Sequence, residues 1–435
     1  MQTGGRLQAA IEVLSDIAER KRPAADALRD WGTSHRFAGS GDRAAIGNLV
    51  FDCLRRRASL AWIMDSESPR AAVLACYARG WNMGAERLDA AIAGDRHAPE
   101  APDDAEHIRL RTGTLDDAPA HVRADCPQWL WPQFQAAFGD AAADEIAALA
   151  ERAPVDLRAN ALKADRDKVL KGLSHLKPEP LDFLENGVRI AAGEGFARQP
   201  TIEAEAGWRK GWFEVQDAGS QLAAALSGVT GGMQVADYCA GAGGKTLALA
   251  ALMGNTGQIH AYDADRNRLA NIHDRLQRAG VRNVQVRDPA RYPDFADLEG
   301  RMELVLVDAP CTGAGTWRRR PDAKWRLSPE ALETRLAEQA AILDAASALV
   351  APGGRLVYVT CSLIAAENGA QARAFLDRDD RFRAVDPLAN LEASLPAEHA
   401  ALLRERSLAD AQGLTLTPGR TGTDGFHIAC MVRQG

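Results

Sequence analysis

Apolar residues recur at steps of three and four from the start of the chain. Leu7, Ile11, Leu14 and Ile17 share one face of a predicted helix, and Ile46, Leu49, Val50, Cys53 and Leu54 share another. Residues 1 to about 95 therefore read as helices joined by short loops, a small bundle. The period lapses between about 95 and 125. Asp95, Glu100, Asp103, Asp104, Glu106, Asp116, Asp117 and Asp125 stand there among Ala and Pro, the pattern of an acidic linker that forms a mobile loop or hinge. Trp129 and Trp131 open a second region to about 225, with a strand expected over 157–163 and a helix over 165–173, the outline of a small α+β domain. From about 226, short apolar strands (234–238, 258–262, 284–286, 303–307 and 355–359) alternate with helices (245–253, 266–279, 329–350 and 365–376), and 427–431 reads as a late strand. That alternation predicts an α/β fold with a mostly parallel, doubly wound sheet, whose ligands bind beyond the carboxyl ends of the strands. The expected domains are 1–130, 131–225 and 226–435.

Composition narrows the class without changing this picture. A chain of 435 residues, 46% hydrophobic and 26% charged, is long enough for two or three domains, and it excludes disorder for the bulk of the sequence. The cysteines, Cys53, Cys76, Cys126, Cys239, Cys311, Cys361 and Cys430, are odd in number and widely spaced, with no C-x-x-C pair. This fits a reducing cytoplasm and provides no metal-ligand spacing. No apolar run of membrane-spanning length occurs, and the first residues do not read as a secretory signal. The net charge is −7, which taken alone argues mildly against a phosphate-rich partner.

The strand ends carry the chemistry. After the first strand of the sheet comes Asp237-Tyr238-Cys239-Ala240-Gly241-Ala242-Gly243-Gly244-Lys245-Thr246. Its glycines permit a tight turn and a close backbone approach. It is not a P-loop, because Cys239 stands where that pattern needs Gly, nor a dinucleotide fingerprint, because Thr246 stands at the third glycine. A structural strand-to-helix turn is the plain alternative. Asp263 closes the next strand, where a carboxylate can accept from ribose hydroxyls or cap the following helix. Asp288 follows the third strand and suits either an adenine contact or a turn before Pro289. An adenosine pocket lacking both phosphate-binding patterns points to S-adenosylmethionine.

The fourth strand ends at Asp308-Ala309-Pro310-Cys311 and the fifth at Thr360-Cys361-Ser362, so neighbouring strands each bring a cysteine to the ligand edge. Buried core thiols are the alternative. Beside S-adenosylmethionine, a thiol serves methylation at C5 of a pyrimidine: addition to C6 makes C5 nucleophilic, and loss of the C5 proton with expulsion of the thiol restores the ring. Spacing does not distinguish which cysteine attacks. Lys245 and the arginines after Cys311 are candidates for the positive field a thiolate needs.

With these residues in view, the chain resembles the RNA (cytosine-5)-methyltransferases of the Sun/Nop type, and within them the bacterial small-subunit rRNA methyltransferase B branch. The motifs are those at 237–246, 308–316, 318–322 and 360–362, with Val215-Gln216-Asp217-Ala218-Gly219-Ser220-Gln221 and Asp424-Gly425-Phe426-His427. The resemblance implies a Rossmann-like class I S-adenosylmethionine-dependent methyltransferase sheet with Cys361 as nucleophile and Cys311 promoting product release. It implies a cofactor site lined by Cys239, Ala240, Gly241, Ala242, Gly243, Gly244, Lys245, Asp263, Arg268, Asp288 and Asp308, with Asp308 also reaching the target cytosine. Asp42–Val50 and the run Arg55-Arg56-Arg57 resemble a NusB-like helical RNA-binding domain, and residues 157–163 resemble the small domain that precedes catalytic ones of this kind. The family usually has Ala-Pro where Gly241-Ala242 stands, which predicts a looser turn with cofactor binding retained.

Arg318, Arg319, Arg320 and Lys324 interleave with Trp317 and Trp325, which fits an RNA strand held by phosphate contacts and base stacking; a solvated charged loop is the alternative. The expected partner is thus RNA, ribosomal RNA first and tRNA second, with no metal, no membrane and a monomeric chain in the cytoplasm. A DNA cytosine methyltransferase attacking through Cys311, a non-catalytic RNA-binding assembly factor and a nicotinamide dehydrogenase are the competing classes, the last disfavoured by the missing third glycine.

Overall fold

The computed structural model describes residues 1–292 and 295–435. The chain packs as two compact units, the first built from 1–153, 192–199 and 316–327, the second from 154–191, 200–315 and 328–435.

The first unit is helical throughout its described elements. Its core joins Leu7 and Val13 of helix Thr3–Arg20, Ile46, Leu49 and Val50 of helix Ser40–Arg55, and Val73 and Leu74 of helix Pro69–Ala75. The predicted stripes are thus the buried ones, with Ile11 partly covered at the edge. The stretch expected as a loop or hinge, about 95–125, is instead folded. Asp103 caps helix Asp104–Thr112 and its N–H donates in return to the Glu106 carboxylate, which also pairs with Arg70 at 2.6 Å, and Leu110 is buried. Asp103, Asp104 and Glu106, which looked like solvated linker residues, are helix-start residues, stabilised by the unpaired N–H groups of the first turn. Helices Trp131–Phe138 and Ala142–Ala147 also belong to this unit, beyond the boundary expected at 130.

The second unit holds two sheets. Strands β1 (Val155–Ala159), β2 (Glu179–Pro180), β3 (Gly187–Ile190) and β4 (Phe213–Val215) form a small antiparallel sheet in the order β2-β3-β1-β4. Helix Arg166–Gly172 covers it through Val169. The large sheet comprises β5 (Gln234–Asp237), β6 (Gln258–Tyr262), β7 (Val284–Arg287), β8 (Met302–Asp308), β9 (Val350–Thr360), β10 (Phe382–Ala384), β11 (Leu408–Asp410), β12 (Gly413–Leu416) and β13 (Phe426–Arg433). Its order is β11-β12-β13-β9-β8-β5-β6-β7, with β10 on β13.

Strands β9, β8, β5, β6 and β7 run parallel and the rest antiparallel. The doubly wound α/β expectation therefore holds, with an antiparallel margin that short strands had hidden. From β5 the chain winds outward to β6 and β7, then returns to add β8 on the other side. The reversal makes the β5/β8 edge the topological switch point, where doubly wound sheets open a crevice for a ligand. Fully buried Val235, Leu304, Leu306, Val357 and Val359 hold these central strands from one face.

Candidate active site at the switch point of the sheet

The loop after β5 is shaped by its backbone. Gly241 has φ 53° and Gly243 φ 85°. At Gly243 a Cβ would lie 2.5 Å from Cγ1 of Ile272, so glycine is needed both for the turn and for the close approach of helix Ile272–Ala279. The Gly241 N–H donates to Asp263 Oδ2 at 2.8 Å, and Arg275 Nη1 donates to the Ala242 carbonyl at 2.8 Å. These bonds brace the segment that lacks the proline, so the turn is held rather than loose. Ala240 is tied to β6 through the Tyr262 carbonyl, and helix Gly244–Leu252 then carries Lys245 and Thr246.

Acidic groups surround this loop. Asp263 is buried and also accepts from the Asp265 N–H, while Asp265, not Asp263, caps the following helix. Each Asp263 oxygen keeps a second lone pair. Arg268 lies 3.8 Å from Asp263 and is largely exposed. Asp288 is half-exposed; it accepts from the Ala290 N–H, which holds its carboxyl below the usual range, and pairs with Arg266. Asp237, which the motif reading left without a role, is fully buried and pushed up to about 7 by that burial. Its Oδ2 accepts from Thr246 Oγ1 at 2.6 Å, whereas its Oδ1 has no partner. An orphaned oxygen and a carboxylate with spare lone pairs suit an adenosyl ligand with ribose hydroxyls and an ammonium group. Cys239 is pushed well up, first by burial and then by Asp263 and Asp308, so it is an inert thiol in this site.

Past β8, Asp308 pairs with Lys245 at 2.7 Å, and the Lys245 ammonium sits 5.4 Å from the Phe426 ring centre. The two cysteines meet: Cys311 Sγ and Cys361 Sγ are 3.4 Å apart. Cys311 is held well above the ordinary thiol range, first by its hydrogen bond with Cys361, then by burial and nearby charge. A ladder of hydrogen bonds fixes the pair from one side. Asp217 accepts from the Asp424 N–H, Gly425 N–H donates to the Gly315 carbonyl, and Gly315 N–H donates to the Cys361 carbonyl. This ladder explains why motifs far apart in sequence belong together. Glu367, invisible as a motif residue, is fully buried against Thr312 and Ser362.

The basic segment departs from expectation. Residues 316–327 belong to the helical unit. Lys324 is buried, donates to the Arg55 carbonyl at 3.0 Å and lies 4.8 Å from the Trp325 ring; burial pulls it down to about 8. Arg318 is buried too, and its carbonyl accepts two bonds from Arg55. Neither is displayed to a phosphate, because both help seat the segment. Arg320 is exposed and Arg319 half-exposed.

Among the described residues, no group of metal-ligating side chains and no helix long and apolar enough to cross a membrane occurs.

Comparison with known proteins adds a family. The family model for "16S rRNA methyltransferase RsmB/F" matches residues 225–432, and one for its ferredoxin-like domain matches 126–194. The chain is 33% identical to a probable ribosomal RNA small subunit methyltransferase B of Synechocystis over 70% of its own length and 66% of the relative's, just short of two thirds of that protein. It is 34% identical to the ribosomal RNA small subunit methyltransferase B of Sodalis glossinidius, over 75% of this chain and 70% of that one. A solved structure, NSun6 from Pyrococcus horikoshii with SFG, shares the fold at 21% identity, with a TM-score of 0.59 over 71% of this chain and 98% of that one.

Proposed function

The chain belongs to the 16S rRNA methyltransferase RsmB/F family, and from that premise we propose that it methylates C5 of a cytosine in RNA, with small-subunit ribosomal RNA as substrate. The observation that carries this reading is the pair of thiols 3.4 Å apart at the ends of adjacent parallel strands. A methyltransferase acting on nitrogen or oxygen has no use for two converging thiols. Carbon 5 of cytosine needs one, because the ring must first be made electron-rich.

S-adenosylmethionine supplies an electrophilic methyl group on a sulfonium centre. The glycine loop 239–245, Asp237 and Asp263 are the residues to hold it, and SFG in the Pyrococcus horikoshii neighbour is an analogue of it. The sulfur of Cys361 bonds to C6 as its thiol proton passes to solvent, and the displaced C5–C6 π pair leaves C5 nucleophilic. Asp308 keeps one oxygen on Lys245 and has the other for the exocyclic amine of the cytosine, which orients the ring. The family resemblance assigns the attack to Cys361; the Cys311 thiol, pushed up by its hydrogen bond with Cys361 and by burial, is the protonated partner. As the Cys361 sulfur leaves with the C6–S pair, Cys311 passes its own proton to it across the 3.4 Å gap and takes the C5 proton in exchange, the C5–H pair restoring the ring double bond. Arg320, exposed, and Arg319, half-exposed, are the cations of the basic segment assigned to phosphate. The target cytosine must lie in a loop or be turned out of its stack for this chemistry.

Transfer of a labelled methyl group from S-adenosylmethionine to ribosomal RNA, followed by bisulfite mapping, tests the reading. Cys361→Ala is expected to abolish both transfer and the covalent adduct with 5-fluorocytosine RNA. Cys311→Ala is expected to form the adduct and release it slowly. An adduct formed by Cys361→Ala through Cys311 would reverse the roles, and intact cofactor binding without transfer to any RNA would favour an assembly factor.

A further inference from the structure

Glu367 has no exposed surface, and its carboxylate is surrounded by donors from separate parts of the catalytic unit. Its Oε1 accepts from the Thr312 N–H at 2.8 Å and from Gln339 Nε2 at 3.0 Å. Its Oε2 accepts from Thr312 Oγ1 and Ser362 Oγ, each at 2.5 Å. Thr312 directly follows Cys311, and Ser362 directly follows Cys361. Gln339, on helix Pro329–Ser347, donates as well to the carbonyl of Pro310, the residue before Cys311.

The neighbouring residue completes the grip. Asn368 Oδ1 accepts from Thr360 Oγ1 at 2.6 Å, and Asn368 Nδ2 donates to the Ser362 carbonyl at 3.0 Å. Tyr358 Oη donates to the Glu367 carbonyl at 2.7 Å. Cys361 is therefore flanked on both sides by residues held to the Glu367-Asn368 pair. Burying a carboxylate is costly, and the cost is offset only when every lone pair finds a donor, as happens here. An apolar side chain would fill the space with less desolvation but would leave the hydroxyls and the Thr312 N–H unpaired.

We propose that Glu367 is a positioning residue for the methyl transfer: by accepting from Thr312 and Ser362 together, it locks the loops carrying Cys311 and Cys361 and keeps their thiols in mutual reach. This rests on the reading that both thiols take part. The carboxylate adds a second effect, since its negative charge disfavours ionisation of Cys311 and thereby reserves that thiol for the later step.

Glu367→Ala and Glu367→Gln test this, with one readout that needs no RNA. Diamide accepts two electrons and two protons from a thiol pair, so the rate of Cys311–Cys361 disulfide formation reports how well the thiols are held together. In the intact chain this rate is expected to fall about tenfold or more in Glu367→Ala. The glutamine variant keeps a carbonyl acceptor and gains an amide donor the hydroxyls can accept, and is expected to lie between the two. The kcat for methyl transfer is expected to fall roughly 10–100-fold in Glu367→Ala, the scale of a small misplacement of reacting groups, with cofactor Kd and RNA KM changed far less. In Glu367→Gln, alkylation of Cys311, followed by peptide mass spectrometry, is expected to begin at lower pH. A folded Glu367→Ala with unchanged cross-linking and unchanged kcat would overturn the proposal. Should that variant fail to fold, an unchanged cross-linking rate and alkylation profile in Glu367→Gln would overturn it equally. If cross-linking responds as expected but the unaltered chain methylates no RNA, the clasp stands and the methylation reading falls.

Discussion

Single residues carry the site's geometry in two ways, through backbone freedom and through charge held in reach. Gly243 illustrates the first. Its φ of 85° and the 2.5 Å approach of Ile272 leave no room for a side chain. Gly243→Ala is expected to cost roughly 1–3 kcal/mol as backbone strain and a similar amount as overpacking. Urea denaturation measures that loss, and calorimetry with S-adenosylmethionine is expected to show weakened binding; unaltered stability would mean the loop relaxes freely. Gly243, Lys245 and both cysteines stood out in the sequence because their spacing to strand ends is short and fixed. Glu367 did not, since an isolated acid has no pattern, and Asp237, though it opens the 237–246 motif, was given no role; burial sets both apart.

At the level of elements, the parallel strands were legible because each is a compact apolar run followed by a helix. The margin β10–β12 was not, because strands of three or four residues are too short to show alternation. That margin holds His427, on β13 opposite Thr415 of β12. His427 is buried, its Nδ1 lies 3.0 Å from Thr415 Oγ1, and burial pulls it down to about 4. A base depressed in the folded state contributes stability above its unfolded value of 6.5 that is lost as pH falls through about 4. Asp237, raised to about 7, acts in the opposite sense, its contribution improving as pH falls, so the comparison must be between variants. His427→Gln is expected to lose less stability than the parent between pH 6.5 and 4.5, by up to a few kcal/mol. Parallel denaturation midpoints for the two chains across that range would refute it.

For the whole molecule, the net charge of −7 is a poor guide to its partner. Local potential governs docking, and within 95–125 Asp103 and Glu106 are spent on capping and pairing inside the helical unit. RNA affinity is expected to fall as salt rises, and Arg320→Ala is expected to reduce the slope of log K against log salt by about one. Lys324→Ala is expected to leave that slope nearly unchanged and instead to destabilise the helical unit by a few kcal/mol, since the ammonium is buried beside Trp325 and bonded to the Arg55 carbonyl. Filter binding over a salt series, paired with thermal unfolding, separates the two variants. A slope lowered by Lys324→Ala without loss of stability would return that lysine to the RNA surface.

Local order along the chain was enough to specify the parallel strands of the sheet, their ligand edge, the glycine loop and the two cysteines at strand ends. Periodicity and motif spacing are short-range properties, and each of these features lies within a few residues of a strand end. Folding alone brought Cys311 and Cys361, fifty positions apart, to 3.4 Å, and linked Asp217, Asp424 and Gly315 into one ladder. It also turned Lys324 inward, because a charge run has the same appearance in sequence whether it faces solvent or a buried carbonyl. Which polar groups end without water is settled by long-range packing, and that is why Glu367 and Lys324 became intelligible only in three dimensions.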